Sequence, residues 1–160
     1  MAIVKYRVDS RMLHGQTAAA WGKVLHVDEY IVVNEKTAND AMQVTLLSLA
    51  SAGCKLKVVS PANAYDVLTN NKLKGKKTFI VFKTIDDVVE LVKLGWKIDQ
   101  VSIGGMFEEA GRNRKQYEKC LACDDHDIEC FKYLESEGVD LVHQVVPEYK
   151  ESKVKDLVKY

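Results

Sequence analysis

The sequence predicts a doubly wound α/β fold: a mainly parallel sheet with helices on both faces and an antiparallel edge strand. Two observations carry that expectation. Short β-branched runs alternate with longer amphipathic stretches as far as Gly104-Gly105, the pattern of successive βαβ units. Beyond those glycines, residues 107–122 lose any helical period, as an excursion at a sheet edge would.

The elements follow in order. Ile3–Val8 reads as a strand and Gly15–Lys23 as a short helix. Glu29–Asn34 is a buried strand, and Thr37–Ala50 a helix with Met42, Leu46 and Leu49 on one face. Lys55–Ser60 is a strand, followed by a helix over Pro61–Leu68 with proline in its first turn. Thr78–Phe82 is the most apolar strand. A helix from Thr84 or Ile85 to Leu94 ends at Gly95, a C-cap residue. Ile98–Ile103 is the next strand. Gly111-Arg112-Asn113 then sits between two extended stretches, which suggests a hairpin or edge excursion. Asp125 caps a helix to about Glu135, and Gly138 ends it. Val139–Val146 reads as a strand and Glu151–Val158 as a terminal helix. No repeat or linker divides residues 1–160, so one domain is expected.

Composition narrows the function classes. The 160 residues carry 23 basic and 23 acidic side chains, so whole-chain attraction to nucleic acid is not indicated. The first residues lack the apolar stretch of a signal peptide, and no apolar run approaches the roughly 18 residues of a membrane span. A cytoplasmic protein with four free thiols is expected. There is no Gly-x4-Gly-Lys-Ser/Thr, no Gly-x-Gly-x-x-Gly and no Gly-x-Ser-x-Gly, so nucleotide-binding and serine-hydrolase fingerprints are missing.

The chemistry points to the loop after the first strand, Asp9-Ser10-Arg11-Met12-Leu13-His14-Gly15-Gln16. Active loops of open α/β sheets lie at the carboxyl ends of strands. His14 stands at the entrance of the first helix, where free N–H groups favour an anion. Arg11 offers a planar fork for phosphate oxygens. Asp9 can orient Arg11 or the imidazole, and Gly15 allows close backbone approach. Neutral histidine is a competent nucleophile near neutral pH.

This loop, with Trp21 shortly after it, resembles the active loop of the IIB component of mannose-family sugar phosphotransferase systems, Asp-x-Arg-Leu-Ile-His-Gly-Gln-Val. The likeness continues through Ile31-Val32-Val33-Asn34, Phe82-Lys83-Thr84, Val101–Met106, Lys115-Gln116 and Asp125–Phe131. The chain departs from the pattern at Met12, Leu13 and Thr17, and its 108–113 segment looks longer than usual. The resemblance implies that His14 takes a phosphoryl group, on Nδ1, from a IIA partner and passes it to an incoming sugar. It implies Asp9, Arg11, Gly15 and Gln16 as the surrounding loop, with Lys83 and Thr84 nearby. It further implies membrane IIC and IID partners with peripheral attachment to them, a homodimer, and no cofactor or metal. The family takes up mannose, fructose, sorbose and N-acetylgalactosamine or related amino sugars.

A different reading is a zinc-stabilised or regulatory binding module built on Cys120, Cys123, His126 and Cys130. Against it, His126 and Cys130 share a helix face, whereas Cys120 and Cys123 at odd spacing on an extended segment point to opposite sides. His26 and His143 read as surface or strand residues, Cys54 as a small apolar core residue, and Trp21 as a packing residue. Lys72–Lys77 and Arg112–Lys115 read as solvated basic runs, the second also a candidate for docking an acidic partner.

Overall fold

The computed structural model describes residues 2–70 and 75–160, with the side chains of residues 2, 16 and 17 left aside. The strands are β1 (Ala2–Asp9), β2 (Glu29–Val33), β3 (Lys55–Val59), β4 (Lys77–Phe82), β5 (Gln100–Gly105), β6 (Lys115–Glu118), β7 (Leu121–Cys123), β8 (Asp140–His143) and β9 (Ser152–Lys153). The helices are α1 (Gly15–Leu25), α2 (Glu35–Ala38), α3 (Ala41–Ala50), α4 (Pro61–Thr69), α5 (Ile85–Lys93), α6 (Asp125–Ser136) and α7 (Val154–Val158).

Seven strands form one sheet in the order β3-β2-β4-β1-β5-β8-β9. Pairings are parallel except β8 with β9, which supplies the expected antiparallel edge. Buried residues of α1 and α3 (Ala18, Trp21, Leu47) pack on one face of the sheet. Buried residues of α4 to α7, including Val67, Leu91, Phe131 and Val158, pack on the other. The two faces follow from chain direction. From β1 to β3 the chain travels toward one edge, and from β3 through β4 to β8 it travels back. Right-handed crossovers then require opposite faces for the two directions. Neighbours β1 and β4 send their following helices, α1 and α5, to opposite sides. Their carboxyl ends therefore border the switch-point crevice where α/β sheets place ligands.

The structure corrects several boundaries. The helix expected over Thr37–Ala50 is two helices, because Asp40 ends one and caps the next by accepting from the Met42 and Gln43 N–H groups. Met42, Leu46 and Leu49 do share a face, but it is the outer one, at 73%, 53% and 76% exposure. Leu47 turns inward instead. The cap of α6 is Asp124, one residue earlier than Asp125, in a reciprocal capping box with Asp127. The end expected to be all helix begins as β9, which pairs with β8 before α7 starts.

The excursion after β5 is a hairpin of β6 and β7, but it turns at Lys119–Cys120, not at Gly111. Gly111 sits in an earlier turn, where the Arg112 N–H donates to the Glu109 carbonyl at 3.1 Å. The hairpin joins the sheet at Met106, which exchanges backbone hydrogen bonds with Cys120 and Ala122. His143 reinforces this junction. Its ring nitrogens lie 2.8 Å from the Ile103 and Lys119 carbonyls.

Arg112 and Arg114 are neither solvated nor free for docking. Both side chains reach the same carboxylate, Asp127. Arg112 donates to Asp124 and Asp127, and Arg114 donates to Asp127 and to the Phe107 carbonyl. Together they fasten the excursion to the start of α6. Of the other basic run, residues 72–74 lie outside the described residues.

Candidate active site

The site grows from the end of β1. Arg7 and Asp9 are two apart on a strand, so both point to the same face. Both are buried, although β1 is a central strand of the sheet. Arg7 donates to the Gln144 carbonyl at 2.9 Å and the Val145 carbonyl at 2.8 Å, and reaches Asp9 Oδ2 at 3.5 Å. Trp21 also donates to the Val145 carbonyl, at 3.1 Å, and its ring lies 5.5 Å from the Arg7 guanidinium. Trp21 thus packs α1 on the sheet as expected and helps fix the buried cation.

The glycines after β5 make this pair possible. A Cβ on Gly104 would lie 1.9 Å from the Arg7 guanidinium carbon, and one on Gly105 would lie 2.5 Å from Asp9 Oδ1. Gly104-Gly105 is therefore space left for a buried ion pair.

Asp9 then organises the loop. Its Oδ1 accepts the Arg11 backbone N–H at 3.0 Å and Arg11 Nε at 3.2 Å, while Oδ2 accepts Arg11 Nη2 at 3.3 Å. The loop turns tightly, with the Met12 N–H on the Asp9 carbonyl at 2.8 Å and Met12 at φ 62°. A left-handed methionine is strained backbone, held here by its buried side chain. Arg11 lies across the ring of Phe107, 4.7 Å from its centre.

His14 closes the loop as the N-cap residue of α1, with extended backbone and no side-chain capping bond. Its carbonyl accepts the Ala18 N–H at 3.1 Å. A helix leaves its first N–H groups without intrahelical partners, so this entrance is suited to an anion. His14 Nε2 lies 3.4 Å from Asp9 Oδ2. A carboxylate can only accept, so Nε2 carries the proton in that contact and Nδ1 keeps its lone pair. Burial moves the His14 pKa below the ordinary histidine value. The Arg11 and Arg7 charges add to that shift, and Asp9 opposes it. Among the described residues, a Cβ on Gly15 would meet nothing within 4 Å beyond its chain neighbours.

Asp9, Arg11, His14 and Gly15 are thus together at one helix entrance. The backbone of Gln16 belongs to α1, and its side chain lies outside the described residues. Lys83 and Thr84 stand at the end of neighbouring β4. They share with Ser10 and Phe107 a cleft of about 250 Å³. Thr84 also caps α5, its hydroxyl accepting the Asp87 N–H at 3.2 Å. Cys120 and Cys123 do not join His126 and Cys130, and all four cysteines are free thiols.

The roles of Arg7 and Gly104-Gly105 at the site escaped the sequence reading. A signal existed for the first. An arginine inside a central strand, two residues before an aspartate on the same face, is a charge that needs a buried partner.

Fold and site define a class: a doubly wound α/β domain with a histidine at its switch point, where the first helix begins. The family model described as PTS system sorbose subfamily IIB component matches residues 3–160. The chain is 35% identical over 147 residues to the sorbose-specific EIIB component of Klebsiella pneumoniae, covering 91% of this chain and 88% of that one. It is 35% identical over 159 residues to the mannose-specific EIIAB component of Escherichia coli K12, covering 99% of this chain and 49% of that one. The chain therefore spans about half the length of that relative. Among solved structures, the IIBSor domain of the Klebsiella pneumoniae sorbose permease superposes with a TM-score of 0.91 at 33% identity, over 99% of this chain and 97% of that one. The N-acetylgalactosamine-specific IIB component 1 of Escherichia coli superposes with a TM-score of 0.87 at 25% identity, over 95% of this chain and 99% of that one. The chain belongs to the sorbose-subfamily IIB components of sugar phosphotransferase systems.

Proposed function

We propose that His14 carries a phosphoryl group from a IIA partner to a sugar during uptake. One observation supports this above others: His14 Nε2 is turned toward buried Asp9, which leaves Nδ1 as the nucleophilic nitrogen beside an uncapped helix entrance. The Nδ1 lone pair attacks the phosphorus of a phosphohistidine on IIA. The N–P bond to IIA breaks as the new bond forms, and its electron pair returns to the IIA imidazole. Loop N–H groups and Arg11 meet the charge on the equatorial oxygens, so catalysis is positioning and electrostatics. A sugar hydroxyl then takes the phosphoryl group and releases its proton, restoring neutral His14.

The partners in this reading are the IIA donor and the membrane IIC and IID components, with the chain on the cytoplasmic side. Among the described residues no helix is long and apolar enough to cross a membrane, which fits a component that attaches to a transporter rather than forming it. Relatives named for sorbose, mannose, fructose and N-acetylgalactosamine share this fold or sequence. In this reading sugar choice lies with the partners rather than with the His14 loop.

The test is incubation with phosphoenolpyruvate, the general phosphotransferase proteins and a IIA component. Wild type gains one phosphoryl group, and His14→Ala gains none while keeping its circular dichroism. Normal incorporation in His14→Ala sinks the assignment.

A further inference from the structure

Away from the His14 loop, three side chains of metal-ligand type meet at the junction of α5 and α6. Asp86 lies in the first turn of α5, and His126 and Cys130 lie one turn apart on α6. Among the described residues they form the one group whose donor atoms gather this closely. His126 Nε2 is 2.6 Å from Asp86 Oδ1, Cys130 Sγ is 3.7 Å from His126 Nε2, and Cys130 Sγ is 3.8 Å from Asp86 Oδ1.

The arrangement is not a nucleophilic relay. A relay needs the carboxylate and the thiol on opposite ring nitrogens, so that a proton taken by one is balanced through the other. Here both meet Nε2. Three donors converging on a common centre are what a metal ion requires. Asp86 and His126 are 50% and 60% exposed, so an ion can enter from solvent, while Cys130 forms the buried floor.

We propose that Asp86 Oδ1, His126 Nε2 and Cys130 Sγ bind a divalent ion of the zinc class, joining α5 to α6 and leaving a fourth position for water. The distances suit it. A tetrahedral zinc ion, with bonds of about 2.3 Å to sulfur and about 2.0 Å to nitrogen or oxygen, separates sulfur from the other donors by about 3.5 Å. The two sulfur distances are already close to that. The nitrogen–oxygen pair must open to about 3.3 Å, which rotation of the exposed Asp86 carboxylate provides. One thiolate, one carboxylate and one neutral imidazole balance a charge of two. On binding, the Cys130 S–H proton and the proton shared by His126 and Asp86 pass to water. The ligand set differs from the four-residue cluster suggested by sequence spacing: Asp86, from a different helix, takes the place of Cys120 and Cys123. The site is independent of any role for His14.

The experiment uses the whole chain, reduced and freed of chelator, titrated with cobalt(II). The expected result is a thiolate-to-cobalt charge-transfer band with tetrahedral d–d absorption, saturating at one equivalent and removed by zinc. Cys130→Ser abolishes the band. Asp86→Ala and His126→Ala, at exposed positions that leave the core untouched, each weaken binding by at least about tenfold. Cys120→Ser and Cys54→Ser leave it unchanged. Zinc raises the Tm of wild type and not that of Asp86→Ala. Absence of a thiolate–cobalt band at one equivalent, or a band that survives Asp86→Ala and His126→Ala at full affinity, overturns the proposal.

Discussion

The Asp9 carboxylate occupies the space that a side chain on Gly105 would fill, 2.5 Å from where its Cβ would stand. The two residues pair across β1 and β5, just after a register shift between Val8 and Asp9. Gly105→Ala should therefore displace Asp9, costing about 1–3 kcal/mol of stability and slowing phosphoryl acceptance. Gly15→Ala, which meets nothing, should keep the wild-type Tm. Thermal melts of the two variants check the contrast, and equal Tm values would contradict it.

Arg7 is the buried counter-charge of the site. Arg7→Met should cost about 3–5 kcal/mol, because Asp9 is left without it in the interior and the Gln144 and Val145 carbonyls lose their donor. Urea denaturation measures this directly. A loss below about 1 kcal/mol would show that Arg11 alone compensates Asp9.

The strand–helix alternation made the fold legible in the sequence, because short β-branched runs between longer amphipathic stretches can be read without knowledge of contacts. The loop from Asp9 to Gly15 was legible too, since residues close in sequence form it. Arg7, Gly104 and Gly105 were not, because their roles depend on how β1 and β5 align across about a hundred residues. The outward face of α3 was misleading for a related reason. Met42, Leu46 and Leu49 have core-like spacing, but periodicity does not say which face meets the sheet. Arg112 and Arg114 looked solvated because their carboxylate partners, Asp124 and Asp127, lie beyond the hairpin.

His14 is held below the ordinary histidine pKa, chiefly by burial. Lowering the pKa favours the neutral ring, so the nucleophile is present to lower pH than in a free histidine. Phosphoryl acceptance should rise with pH through a midpoint below about 6.5 and be level by neutrality. Asp9→Asn removes the influence that opposes burial and should move the midpoint lower still. Proton NMR of the His14 ring gives both values, and a wild-type midpoint at or above the ordinary value would contradict the account.

Arg114 holds the edge excursion more firmly than its neighbours. Its side chain is buried against Asp127, itself buried, whereas Lys115 is exposed. Arg114→Ala should cost about 1–3 kcal/mol, since Arg112 still donates to Asp127, while Lys115→Ala should stay within about 0.5 kcal/mol. Chemical denaturation of both separates a fastening role from a solvated charge run.

In the proposed reaction the Asp9 contact fixes the His14 ring so that Nδ1 takes the phosphoryl group. Nitrogen NMR of histidine-labelled chain, phosphorylated through a IIA component, identifies the modified atom. One phosphohistidine is expected, at His14 Nδ1, with His26, His126 and His143 unmodified. Phosphorylation at Nε2 of His14, or at any of the other three histidines, would contradict it.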